Sequence, residues 1–230
     1  DRDKLAPGET ALAELRFKEP MVGVFGDHCV LRAYSPLRTV AGGLLVSPLP
    51  PELRAKDPEL ADKLSLLQSL PELRDAAEAL GGGKAEAKAR EEARAQLVGG
   101  ALTLRGAEGA DDARLRALTG MARPAVEAAL QLLSTRGEAL CWDKEGRAWI
   151  AKLPFEKLLA GCRERGAELH RREPLKPGFT RGALCTGWSR NLPPKLVQKV
   201  LDQAIKQGQL VTEGEGLRLQ SHTVSLAADQ

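Results

Sequence analysis

Apolar residues recur at three- and four-residue steps in two stretches of the chain, as they do in a helix that buries one face. The matching positions are Val126, Leu130 and Leu133 in the first stretch and Val197, Leu201 and Ala204 in the second. Each stretch has a proline near its start and ends before a glycine, Gly137 or Gly208, which is typical of helix ends. The sequence therefore predicts helices at 124–136 and 194–207.

Each predicted helix is followed by the pattern of a β-hairpin. Two short apolar runs flank a polar turn that contains glycine, whose backbone freedom closes such turns. The runs and turns lie at 139–142, 143–146 and 148–150 in the first copy and at 210–211, 213–216 and 217–219 in the second. Short middle helices are predicted at 110–118 and 181–187, and an amphipathic helix at 155–169 opens the second copy. This order of elements predicts two consecutive winged helices.

Residues 10–47 show the alternation and turn residues of strands rather than of helices. Four strands are predicted, at 10–17, 21–25, 28–34 and 39–46. Strands this short cannot hide both edges of their own sheet. They predict the closing part of a larger β-barrel whose opening strands lie outside this chain.

Between these strands and the first repeat, leucines at helical spacing predict a helical connector. Asp57 and Pro58 predict a capped helix start, and Pro71 predicts the start of a second short helix. The apolar stripes are Leu60, Leu64 and Leu67 in the first helix and Leu73, Ala77 and Leu80 in the second. The composition of residues 84–96 predicts a further helix. Its expected buried anchors are Leu97, Leu102 and Leu104.

Composition excludes several classes of function but does not identify one. The chain has 230 residues with 43% hydrophobic content, enough for two or three domains, and a net charge of +3 that is too mild to indicate nucleic-acid binding by itself. Four cysteines without a CxxC pair, and the lack of a signal peptide or of roughly 20 consecutive apolar residues, lead us to expect a reduced cytoplasmic protein. No nucleophile lies beside a base in the sequence, so neither a catalytic nor a metal site is expected.

The run from Gly81 to Lys84 has only part of a phosphate-binding loop. Such a loop needs an earlier glycine and a hydroxyl residue after the lysine, and Glu78 and Ala85 hold those positions here. A linker that ends a helix is therefore the favoured interpretation, and no cofactor is expected in this chain.

The two long helices of the repeats differ in charge. The helix at 124–136 carries only Glu127 and Arg136, whereas that at 194–207 carries three lysines against Asp202. Contact with RNA phosphates is therefore expected on the second helix and on the basic residues before it. The candidate RNA-binding residues are Arg171, Arg172, Arg190, Lys195, Gln198, Lys199 and Lys206. A solvated helix face with ordinary surface ion pairs explains the same residues equally well.

Residues at the front of the chain resemble a known family. Gly26-Asp27, the run from Tyr34 to Val40 and the run from Gly42 to Pro48 are similar to the end of the third domain of bacterial selenocysteine-specific translation elongation factors. In that family a barrel like the third domain of elongation factor Tu is followed by a helical connector and a row of winged helices, which is the order predicted here. Because winged helices alone are too common to identify a family, the front residues carry the resemblance.

The resemblance implies an α+β chain in four parts: barrel strands at 1–48, a helical connector at 49–83, winged helix 1 at 84–153 and winged helix 2 at 154–230. It implies a fragment of a factor that binds GTP and Mg in a GTPase domain absent here, and that delivers selenocysteyl-tRNA to the ribosome at UGA codons. This chain would be a monomeric arm without an active site, linking the tRNA-binding body to a tip that binds an mRNA hairpin, with ribosomal RNA as its own possible contact. The alternatives are a winged-helix DNA-binding transcription regulator and a protein-interaction scaffold.

Overall fold

The structure, a computed structural model, describes residues 4–51, 53–54, 56–79, 82–214 and 216–222. The elements in chain order are β1 (His28–Ala33), β2 (Arg38–Leu44), α1 (Leu60–Glu78), α2 (Lys84–Arg105), α3 (Asp112–Thr119), α4 (Arg123–Thr135), β3 (Ala139–Asp143), β4 (Ala148–Ala151), α5 (Lys152–Arg172), α6 (Arg181–Cys185), α7 (Pro194–Lys206), β5 (Leu210–Glu213) and β6 (Gly216–Leu219). The strands pair as three antiparallel hairpins, and none closes into a barrel among the described residues. The chain is a mixed α/β protein with small sheets.

The front segment forms one hairpin instead of four strands. β1 and β2 confirm the strands predicted at 28–34 and 39–46. The strands predicted at 10–17 and 21–25 are wrong, since both segments lack regular structure. A strand needs a neighbour that bonds its backbone groups, and within the described residues no strand other than β2 pairs with β1.

Phe25, which follows these irregular segments, anchors the front of the chain to the helices. Its N–H donates to the carbonyl oxygen of Ala117 in α3 at 2.9 Å. Its side chain is buried in a cluster with Leu67 and Leu70 of α1 and Leu97 of α2. A backbone hydrogen bond and side-chain packing therefore attach the front of the chain to the helices, in addition to the connecting loop.

α1 is continuous through Pro71, so the prediction that this proline starts a second helix is wrong. A proline inside a helix removes one backbone hydrogen bond and is normally unfavourable. Here buried side chains on both sides of it, Leu70 and Ala77 among them, keep the two halves of α1 on one axis. Leu80, predicted for the second stripe, lies outside the described residues.

α2 is the central helix of the first half of the molecule. Two glycines in its middle allow close packing: a Cβ added at Gly100 would lie 3.1 Å from Leu66 of α1, and one at Gly99 would lie 3.5 Å from Leu133 of α4. Its predicted anchors are all buried, as expected: Leu97, Leu102 and Leu104. α2 therefore packs the connector on one face and the first repeat on another.

Both predicted repeats of helices and a hairpin are present. α4 and α7 confirm the two long helices, and a hairpin follows each of them. The short middle helices are α3 and α6, whose first turns are capped by Asp111, at 2.8 Å from the N–H of Arg114, and by Thr180. α5 is longer than predicted at both ends and begins directly after β4.

The first hairpin, β3–β4, is buried on both faces. Ala139 pairs with Ala151, and both belong to the core formed by α2, α3 and α4. The next pair in the ladder, Leu140 and Ile150, faces the other way and packs in the core of the second repeat. The hairpin of the first repeat is thus shared with the second.

Candidate nucleic-acid interface

α7 presents one polar face away from the core. Its apolar side is buried in the second core and consists of Leu196, Val200, Leu201 and Ala204. The other side carries Lys195, Gln198, Lys199, Asp202 and Lys206. Residues at these spacings share one side of a helix, so the structure places the predicted lysines on a common face.

Lys195, in the first turn of α7, is bound by the turn of the first hairpin. Its Nζ donates to Asp143 Oδ1 at 2.9 Å, to Asp143 Oδ2 at 3.0 Å and to Glu145 Oε2 at 3.0 Å. The hydrogen bond from Lys195 is the main cause that lowers the pKa of Asp143, and the same bond raises the pKa of Lys195. A predicted RNA contact therefore forms an ion pair between the two repeats.

The remaining polar residues of α7 differ in how available they are. Gln198 accepts a hydrogen bond from the Arg181 guanidinium and donates one to Asp202 Oδ1 at 2.5 Å. Lys199 is half-buried, and its charge lies close enough to β3 to act on Cys141, whose thiol pKa is raised by burial and partly lowered again by Lys144 and Lys199. Lys206, in the last turn, is exposed.

The predicted arginines lie outside α7. Arg171 and Arg172 are exposed at the end of α5, and Arg190 is exposed in the turn before α7. Arg172 forms an ion pair with Glu168, which also pairs with Arg165 at 2.7 Å. The bond from Arg165 is the main cause that lowers the pKa of Glu168. Arg172 is therefore held by a carboxylate, as Lys195 is.

Asp143 and Glu145 are the functional candidates that the sequence did not single out. Asp143 is mostly enclosed, and its Oδ1 accepts the N–H groups of Glu145 and Gly146, both at 3.2 Å. In the sequence these acids look like ordinary residues of a polar turn. Only the packing of β3 against α7 brings them to Lys195, which is 52 and 50 residues further along the chain.

Other chemistry has little support in the described part of the chain. No group of histidine, cysteine and acidic residues there has the arrangement of a metal site. None of the helices in that part is both long enough and apolar enough to span a membrane. His170 has a structural role, since its Nε2 accepts the N–H of Leu219 at 3.2 Å and its ring stacks on His222.

Comparison with known proteins identifies the relatives of this fold. A family described as "Elongation factor SelB, winged helix" matches residues 167–219, which run from the last turns of α5 to the end of β6. The chain is also 36% identical to a selenocysteine-specific elongation factor of Desulfomicrobium baculatum over 230 residues, the whole of this chain and 33% of that relative. The resemblance to selenocysteine-specific elongation factors is confirmed.

The selenocysteine-specific elongation factor also accounts for parts of the chain that the winged-helix family does not cover. The similarity runs through the front hairpin, the connector and the first repeat, so it does not depend on α7 and its hairpin alone. The chain spans about a third of the length of that relative. A winged-helix transcription regulator is not favoured, because such a protein offers no reason for the matching front segment.

Proposed function

We propose that this chain is the stiff arm of a cytoplasmic selenocysteine-specific elongation factor. By resemblance, the intact factor binds GTP and Mg outside this chain and delivers selenocysteyl-tRNA to the ribosome at UGA codons. The arm would set the distance between the tRNA-binding body and the part that holds the mRNA hairpin. This role needs no active site in the arm itself.

The shared hairpin is the observation that carries this proposal. β4 ends at Ala151 and α5 begins at Lys152, so no linker separates the two repeats. Ile150 is fully buried in the second core, while Ala151 beside it is buried in the first. Burial of an isoleucine side chain contributes about 1.5–3 kcal/mol, so turning one repeat against the other would expose costly surface. The two repeats are therefore expected to move as one body.

The finer division of the chain belongs to the same proposal: barrel strands at 1–48, a connector at 49–83 and winged helices at 84–153 and 154–230. The front hairpin supports a barrel through its exposed apolar side chains. On the hairpin, Tyr34 is 99% exposed, and Val30, Leu37 and Val40 are also exposed. Val22, in the irregular segment before the hairpin, is 98% exposed. Several exposed large apolar side chains on one short segment often mark a surface that is covered in the assembled protein. Neighbouring barrel strands of the intact factor would supply that cover.

Phosphate contact by the arm is also proposed, on the basic face of α7 and the turn before it. Lys206 and Arg190 are exposed there, and Lys199 extends the face toward the first hairpin. Such lysines and arginines bind the phosphate backbone of RNA without reading its sequence, and they do so more weakly as salt rises. Ribosomal RNA would be the partner during delivery.

An insertion in the full-length factor tests the arm. A short Gly/Ser segment inserted between Ala151 and Lys152 would give the repeats independent motion, and we expect selenocysteine incorporation at a UGA reporter to fall sharply. The matched control places the same insertion at Gly214, in the turn of the second hairpin, where a Cβ would meet nothing within 4 Å. Equal incorporation by both variants, each folded, would contradict the proposal.

A further inference from the structure

The contact of Lys195 has the chemistry of a lysine bound to phosphate. Three carboxylate oxygens lie at 2.9, 3.0 and 3.0 Å from one ammonium group, which has three N–H donors. The negative charge of Asp143 and Glu145 occupies the position that phosphate oxygens would take. Lys195 is also the basic residue of α7 nearest its N-terminal end, where a helix of this motif makes its closest contacts with nucleic acid.

The two carboxylates are held differently, and this makes the contact reversible. The Asp143 side chain is only 16% exposed and is fixed by the backbone of its turn, whereas Glu145 is 89% exposed. The Lys195 side chain is itself 55% exposed, so it is reachable from solvent while paired. A polyanion can therefore reach the ammonium from outside and take the place of Glu145 without unfolding the hairpin.

We propose that Asp143 and Glu145 are an intramolecular competitor of RNA phosphate at the start of α7. They occupy Lys195 while the arm is free, and when the arm binds, an RNA phosphate takes the place of the exposed Glu145 and competes with Asp143 for the ammonium group. This inference rests on the proposed phosphate contact by α7, and it adds how that contact is regulated. It explains why α7, the more basic of the two long helices, has its first lysine bound to carboxylates of the first repeat.

The competition has a measurable consequence for salt dependence. On a nucleic-acid duplex, each phosphate that a lysine neutralises makes the slope of log K against log salt more negative by about 0.9. Substitutions that release Lys195 from the two carboxylates should therefore steepen this slope by the amount that one phosphate contact contributes. Between 50 and 200 mM salt, one such contact changes affinity by about threefold.

A double-mutant cycle on this chain separates the competition from general charge. Fluorescence anisotropy with a short labelled RNA duplex, over a series of KCl concentrations, would compare four proteins: the wild type, K195Q, D143N/E145Q and the triple variant. We expect K195Q to change affinity little in the wild-type background and to weaken binding clearly in the D143N/E145Q background. Because the long-range charge removed is the same in both backgrounds, the difference reports only whether Lys195 is free.

The outcomes also distinguish this inference from the phosphate contact itself. Double substitution K199Q/K206Q should weaken binding if α7 carries the contact at all. An equal loss from K195Q in both backgrounds, with K199Q/K206Q also weakening, would overturn the competition but leave the contact in place. No binding by any variant at low salt would overturn both. Circular dichroism and thermal melting of each variant would verify that binding losses do not come from unfolding.

Discussion

The two hairpins of the repeats have the same place in their motifs but different surroundings. β3–β4 is buried on both faces, with Ala139 and Ala151 in one core and Leu140 and Ile150 in the other. In β5–β6 one face lies in a core: Leu217 and Leu219 belong to the second core, whereas Arg218 between them is half-buried and belongs to neither core.

This difference shows that the hairpin of one repeat can also form the contact with the next repeat. The change is already visible in the sequence, because β6 alternates apolar and polar residues while β4 is apolar throughout. A two-sided apolar hairpin cannot be solvated on either face, so it needs a second domain. In the proposed arm, the first hairpin would hold the two repeats together, whereas the second hairpin would be an ordinary wing.

Ile150→Ala should have the largest effect, because it opens a cavity on the face shared by the repeats. We expect a loss of about 2–5 kcal/mol in the free energy of unfolding, measured by urea titration. Hydrogen exchange should quicken in α7 as well as in the first hairpin. Leu217→Ala is the matched control: it should destabilise the second repeat by a similar amount and leave exchange in α4 unchanged. Identical exchange patterns for the two variants would contradict a shared hairpin.

Gly109→Ala should come next, since Gly109 packs directly against the first hairpin. Its φ is 62°, and an added Cβ would overlap the carbonyl oxygen of Trp149 in β4. Backbone strain together with this overlap should cost about 2–4 kcal/mol. Gly214→Ala offers a control in the second hairpin, with a φ of 56° and open space around it, and should cost only about 1 kcal/mol. Equal destabilisation in thermal melts would mean that the first hairpin is no more enclosed than the second.

Acid should affect the second repeat selectively. Burial is the main cause that lowers the pKa of His170, and the charges of His222 and Arg218 add to it. Because the folded pKa lies below the unfolded value near 6.5, the unfolded state binds the proton more readily, and stability falls as pH drops below about 6.5. We expect the protection factors of β5–β6, which correct for the intrinsic exchange rate at each pH, to be lower at pH 5 than at pH 7, whereas those of α4, whose repeat contains no histidine, should stay unchanged. H170Q, which keeps an acceptor for the N–H of Leu219, should abolish the difference.

Lys195→Gln should have the smallest effect on stability. Lys195 and Glu145 are largely exposed to solvent, so loss of the ion pair with the two carboxylates should lower the melting temperature slightly at low salt and not at all at high salt. Lys206→Gln on the same face is the control and should change nothing under either condition. A loss of stability that persists at high salt would show that Lys195 contributes through packing rather than through charge.

Much of the second half of this fold follows from local signals in the sequence. Apolar spacing with proline and glycine at the ends located α4 and α7, and glycine-containing turns located both hairpins. These signals suffice because helix and hairpin geometry depend on residues close together in the chain. The family resemblance rested on such local runs too, and the comparisons confirm it.

The errors concern features set by distant residues. Residues 10–17 have the composition of a strand, but a strand exists only where a partner bonds it, and the described chain offers none. Pro71 has the local signature of a helix start, yet packing of α1 against α2 on both sides of it keeps one helix. The partner of Lys195 lies in the other repeat, so no inspection of α7 alone could find it.

Residual dipolar couplings test the stiff arm most directly. Couplings from 84–151 and from 152–222 would be measured in one weakly aligned sample and fitted to the structure separately. We expect both segments to give the same alignment tensor in magnitude and direction, since the first hairpin belongs to both cores. Tensors of clearly different magnitude would show that the repeats move independently, and would contradict the proposal that they form a stiff arm.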